Sequence, residues 1–235
     1  MTLVQGLWAR RADALQPIHV AAAAMVIDGL LLCAHVLHRS IYLLHPDGSS
    51  SPSLRATAVW NGGVDGSVME MFGLIQLGAA ALLFILVGLR EPAHRVLSAW
   101  GVVFLFLIAD DLFRVHERVG ARLAQDRLAP SLGESSAQEL GGLVFWAVSG
   151  LLLAGGLIHQ HRHSSKAARL GSWEVLFTVV PFVVMAVGYV MFSVVRPDLV
   201  HGPVGELVAL ARMTVKLLTM TLLLLQAVRL SSVRA

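Results

Sequence analysis

Residues 104–119 read FLFLIADDLFRVHERV. An apolar run, 96–109, passes without a breaker into Asp110 and Asp111, then reaches Arg114, His116, Glu117 and Arg118. The run is apolar enough for a membrane interior, where adjacent carboxylates are expensive to hold, and ionisable residues in such segments mark functional sites. This stretch therefore indicates both the class of molecule, a helical membrane protein, and where its chemistry is to be sought.

The rest of the chain agrees. Of 235 residues, 56% are hydrophobic and 14% charged, against about 25% charged in soluble domains; mean hydropathy is +0.72. The net charge of +3 is no nucleic-acid footprint, because the arginines are scattered between apolar runs and basic loops are normal beside membranes. A single cysteine, Cys33, excludes a disulfide framework or a Cys-based zinc site within one chain. Leu31-Leu32-Cys33 resembles a lipoprotein processing site, but a bulky Leu precedes the cysteine and Asp28 interrupts the run. With no small-residue cleavage site either, the first apolar segment reads as a retained helix.

Six stretches approach the ~20 apolar residues that span a bilayer: 17–44, 67–89, 96–123, 139–158, 174–195 and 204–230. The expectation is an all-α, six-transmembrane-helix bundle forming one membrane domain over 1–235, with Pro181 kinking the fifth helix. Loop 45–66 is Ser/Gly/Pro-rich with Trp60 as an interfacial anchor, and 90–95 is a tight hairpin. With the N-terminus inside, nine Lys/Arg flank the spans on the inner side (Arg10, Arg11, Arg90, Arg95, Arg162, Lys166, Arg169, Arg229, Arg234) and seven on the outer side (Arg39, Arg55, Arg114, Arg118, Arg122, Arg127, Arg196). That bias favours cytoplasmic termini in a bacterial plasma (inner) membrane.

At ~1.5 Å per residue, Asp110 lies about 9 Å inside the outer boundary of a ~30 Å core. Glu70, Glu117, Glu139, Glu206, His35 and His38 fall near the same boundary. Arg212 and Lys216, four residues apart, share a face of the last helix. Arg212 is level with Asp110, and Lys216 with Asp28, so the pairings Asp110–Arg212 and Asp28–Lys216 are expected. A continuous third helix places Asp110, Arg114 and Glu117 on one stripe, with Asp111 and His116 on other faces.

Three readings of this chemistry stand open. Glu70, Asp110, Asp111, His116, Glu117 and Glu206 are hard-to-borderline ligands suited to Zn, Fe or Mn, in the way helical bundles build carboxylate–His sites. Neither paired Glu-x-x-His nor HExxH is present, since His116-Glu117 continues Arg118-Val119-Gly120-Ala121. Alternatively, the cluster with Asp28, Arg212 and Lys216 handles protons or a cation, or it is an ion-paired plug fixing helix register. Lys216 invites comparison with a retinal Schiff base, but six helices, few aromatics and Arg212 one turn away favour a paired lysine. His159, His161 and His163, among Arg162, Lys166 and Arg169, suit an aqueous or anionic-lipid face better than a metal. Gly141, Gly142, Gly150, Gly155 and Gly156 suit close helix packing. Ser67, Ser149 and Ser193 lack a G-x-S-x-G or a partner histidine placed by sequence, so a serine hydrolase is unsupported.

Residues 65–120 resemble a group of bacterial multipass membrane proteins with no assigned chemistry. The matching pieces are Asp65, Ser67 and Glu70, the turn Arg90-Glu91-Pro92, and a helix end of the form F-L-x-x-D-[DE]-x(4)-H-E, here Phe106-Leu107 through Asp110-Asp111 to His116-Glu117. Ala109 departs from the Ser or Ile more common there. The resemblance covers about a quarter of the chain and singles out the same site without implying a function.

The leading expectation is therefore a transporter- or channel-like protein whose cluster binds a cation or handles protons. A through-channel is disfavoured, because little polar remains in the inner half beyond Asp28 and Lys216. The alternatives are a metal-dependent membrane enzyme acting on a lipid or quinone-like substrate, with Asp110, His116 and Glu117 as ligands or acid/base, and an accessory subunit of a membrane complex. The lipid bilayer is the expected partner; a second copy of the chain or another subunit is left open, and nucleic acid is excluded.

Overall fold

The computed structural model describes residues 17–44, 58–63, 66–124, 134–200 and 202–232. Of these residues 93% are helical and none forms a strand. In chain order the helices are α1 (Pro17–Leu44), α2 (Val68–Arg90), α3 (Arg95–Phe113), α4 (Val115–Leu123), α5 (Glu134–Arg162), α6 (Lys166–Val195), α7 (Pro197–Val200) and α8 (Pro203–Ser232), with single 3-10 turns at Ala58–Trp60 and Pro92–His94. Six segments are long and apolar enough to cross a membrane, the third being Pro92–Phe113. Asp65, most of loop 45–66, and Arg10, Arg11, Arg55, Arg127 and Arg234 of the charge count lie outside the described residues.

Two compact units divide the chain. The first comprises residues 1–80 and 213–235, and the second residues 81–212. In the first, Leu31, Leu74, Leu77, Leu217 and Leu223 are buried, with Met69, Met213 and Met220 among them. The methionines fill space left by glycine: a Cβ on Gly62 would sit 2.5 Å from the Met69 sulfur, and one on Gly73 would sit 2.6 Å from that of Met220. Ser67 caps α2 by accepting from the Glu70 amide at 3.2 Å, while the Glu70 carboxylate reaches back to the Gly66 amide. This is close to the reciprocal capping that Ser-x-x-Glu encodes at a helix start.

In the second unit α3 is the central element. Phe84 and Phe104 are wholly buried with ring centres 5.9 Å apart, and Trp100 stacks on Phe104 at 5.7 Å. The Trp100 indole donates to the Ser172 hydroxyl at 2.9 Å, joining α3 to α6. Gly101 lets α2 approach closely, since a Cβ there would meet the Ala81 carbonyl at 2.6 Å. The turn into α6 is latched to the α2–α3 turn: the Val96 amide donates to Ser164 Oγ at 3.0 Å, and the Ser165 amide to the Ala93 carbonyl at 2.8 Å. Ser165 also caps α6 by accepting from the Ala168 amide. Leu151, Leu152 and Phe177, each at least 70% exposed, give α5 and α6 outer faces suited to lipid. Outside the spans, Arg196 donates twice to the exposed Asp198, and this hydrogen bonding holds the Asp198 carboxyl below its ordinary range.

Three helix ends differ from the sequence reading. Segment 160–172, which falls between the expected spans 139–158 and 174–195, is largely helical, because α5 runs on to Arg162 and α6 starts at Lys166. The third helix does not continue to residue 123. It stops at Phe113, and Arg114 is left-handed (φ 48°, ψ 45°) before α4 begins at Val115. A left-handed residue with a side chain costs on the order of 1–2 kcal/mol, so the break persists because other interactions over-determine it.

That strain is testable. Arg114→Gly and Arg114→Val remove the same guanidinium, so their difference reports the backbone. The Val variant should be the less stable by about 1 kcal/mol, after allowing for glycine's larger loss of chain freedom, read as the thermal unfolding midpoint in detergent.

Candidate functional site

The break at Arg114 turns the chain so that His116 comes back upon Asp110. The His116 backbone amide donates to Asp110 Oδ1 at 2.8 Å, and its ring Nδ1 lies 2.6 Å from Oδ2. Asp110 is 2% exposed, and the His116 side chain 30%. One carboxylate thus caps the first turn of α4, where unpaired amides and the helix dipole favour negative charge, and also fixes the ring. An ionised carboxylate only accepts, so with Asp110 charged the proton sits on Nδ1 and Nε2 carries the lone pair. The ring packs against Trp146 at 6.2 Å between centres, and Trp146 in turn meets Phe106 at 5.9 Å and Phe145 at 6.0 Å. One side of the imidazole is therefore aromatic.

Glycine brings α4 onto α5. A Cβ on Gly120 would lie 2.5 Å from the Gln138 carbonyl, one on Gly141 would lie 2.6 Å from the Gly120 carbonyl, and Gly142 faces the His116 ring. Gly150, Gly155 and Gly156 have nothing within 4 Å of a built Cβ, so only the first pair of the glycine series makes the close crossing expected of it.

The expected pairings of charge are not formed. Asp110 is engaged by His116, not by Arg212, whose guanidinium carbon lies 4.1 Å over the Tyr189 ring. The reason is the helix break, which overturns the continuous-helix register that put His116 on another face. Asp28 is engaged by the Thr221 hydroxyl at 2.6 Å, not by Lys216, which stands 3.8 Å from Glu70. In the second unit, Asp111 and Glu117 are half-buried on the flanking turns and Glu206 lies in the first turn of α8. Among the described residues no three His, Cys, Asp or Glu side chains come together as a metal group.

Other polar contacts went unforeseen. Ser193 donates to Glu139 at 2.7 Å, and the Gln76 amide donates to Thr221 at 2.8 Å. Buried His94 pairs with Glu91 at 2.7 Å in the turn between α2 and α3. His159 and His163 stack at 4.6 Å and His161 meets Trp173 at 5.7 Å, at the exposed end of α5. Neutral Gln, Thr and Ser offered no charge to search for, and only their position inside apolar spans could have flagged them.

The dyad's structural weight is measurable. Asp110→Ala leaves an amide and an imidazole without their acceptor, a loss of about 2–3 kcal/mol. Asp110→Asn retains an acceptor for the amide and should cost less than half as much. Denaturation midpoints of the two variants in one detergent decide this.

One family model, the domain of unknown function DUF8692, matches residues 18–222, and the chain belongs to that family. No curated protein and no solved structure matches it.

Proposed function

We propose that this DUF8692 protein is a transporter-like membrane protein that takes up and releases protons at the Asp110–His116 dyad. The observation that carries the reading is the 2.6 Å contact between Nδ1 and a carboxylate that is itself buried. Imidazole exchanges protons near neutral pH. Orientation of one ring nitrogen by a carboxylate is how proteins prepare the other nitrogen as a base and stabilise the imidazolium it becomes. The span ends at Phe113, three residues beyond Asp110, which supports a dyad at one boundary of the apolar layer and within reach of water. Trp146 and its aromatic neighbours cover the other side of the ring, which favours exchange in one direction.

The membrane we propose is a bacterial plasma membrane, with both termini cytoplasmic and the dyad toward the outer side. Reporter fusions at the C-terminus should then be active for a cytoplasmic reporter and silent for a periplasmic one.

A second reading keeps the same atoms. A metal-bound imidazole also commonly gives its other N–H to a carboxylate, so His116 Nε2 is where Zn, Fe or Mn would be held in a membrane enzyme. Elemental analysis of purified protein beside Asp110→Ala/His116→Ala separates the readings. Near-stoichiometric metal lost in the double variant supports the enzyme, and none in a folded wild type removes it.

For proton handling, the test is proteoliposomes carrying a trapped pH-sensitive dye under an imposed pH gradient. The wild type should dissipate the gradient faster than protein-free vesicles. Asp110→Asn, which forces the opposite tautomer, and His116→Gln should each slow that rate at least tenfold. An unchanged rate in His116→Gln would remove the dyad from the function.

A further inference from the structure

The first unit holds a carboxylate that forms no ion pair among the described residues. Asp28, twelfth residue of the span Pro17–Ser40 and 2% exposed, accepts a hydrogen bond from Thr221 Oγ to Oδ2. Thr221, itself 2% exposed, accepts in turn from the Gln76 amide at 2.8 Å. Two oxygens of this three-residue group, Asp28 Oδ1 and Gln76 Oε1, are buried without any hydrogen-bond partner among the described residues. The cation level with Asp28 in the sequence, Lys216, stands instead beside Glu70.

Three helices thus bring a carboxylate, an amide and a hydroxyl into the middle of an apolar layer, with acceptors in excess of donors. Buried acceptors are normally satisfied, and each exception calls for an explanation. An unpaired charge inside a membrane span marks a functional position. We propose that Asp28, Gln76 and Thr221 form a binding site for a small monovalent metal cation of the sodium class. Their oxygens are hard donors, which take hard cations. With a single carboxylate present, a monovalent ion neutralises the site, whereas a divalent ion would leave a positive charge buried. Asp28 Oδ1 and Gln76 Oε1 are the principal ligands, and Thr221 orients both side chains while offering its own oxygen. A proton could occupy only one of these oxygens, so acid should compete with the metal. The site is independent of His116 and stands or falls without it.

The test is thermal unfolding of the full chain in detergent, in sodium chloride against choline chloride at equal ionic strength. The wild type should gain several degrees in sodium. Asp28→Asn should fold without the gain, because it keeps the shape and removes the charge. Equal midpoints in the two salts, or the same gain in Asp28→Asn, overturn the proposal. A gain on acidification alone, with no response to sodium, overturns it as well, in favour of a protonated carboxyl. Should Asp28→Asn fail to fold, binding of radioactive sodium to the wild type decides the matter: saturable binding that weakens at least tenfold in Thr221→Val and is kept in Thr221→Ser supports the site, and unsaturable binding refutes it.

Discussion

The second unit depends on one hydrogen-bonded pair. Asp110 accepts from the backbone and from the ring of the same residue, His116, and both bonds exist only because Arg114 adopts a left-handed conformation. Charge-assisted hydrogen bonds are roughly twice as strong as neutral ones, enough to offset the strain of such a residue. The consequences extend outward. With α3 stopped at Phe113, α4 is free to change direction and press Gly120 against Gly141. That crossing brings α5 and its Trp146 up to the imidazole. Helix break, glycine crossing and ring orientation form one arrangement around the Asp110 carboxylate.

Several other buried or half-buried polar groups are met by neutral neighbours rather than by opposite charges. Thr221 serves Asp28, Ser193 serves Glu139, and Ser172 serves Trp100. Lys216 and Glu70, which do pair at 3.8 Å, are both partly exposed. This fits the energetics of apolar surroundings, where taking two ions out of water costs more than most pairings return. A hydroxyl one helix away is a cheaper partner than a guanidinium that must be desolvated.

That preference sets what the sequence could disclose. Six spans were legible because length and hydropathy decide them, whatever lies between. The importance of Asp110 and His116 was legible because ionisable residues at the end of an apolar run are costly. Their union was not, since Phe113-Arg114-Val115 contains no Gly or Pro to announce a break, and a helical wheel drawn through it puts the two residues on different faces. The pairings Asp110–Arg212 and Asp28–Lys216 followed from matching charges by depth, which overlooks Gln76, Thr221 and Tyr189 because they carry none. The glycines of α5 were legible as a class, but only contact with α4 distinguishes Gly141 from Gly155.

The function of the dyad depends on the orientation of one ring, and nitrogen-15 NMR of histidine-labelled protein in micelles, at a pH where His116 is neutral, reads it directly. The prediction is a single tautomer for His116, with the proton on Nδ1 and Nε2 bare, converting in Asp110→Asn to the proton on Nε2. A wild-type His116 protonated on Nε2, or averaging between the two tautomers as in free histidine, would contradict the claim that Asp110 fixes the ring.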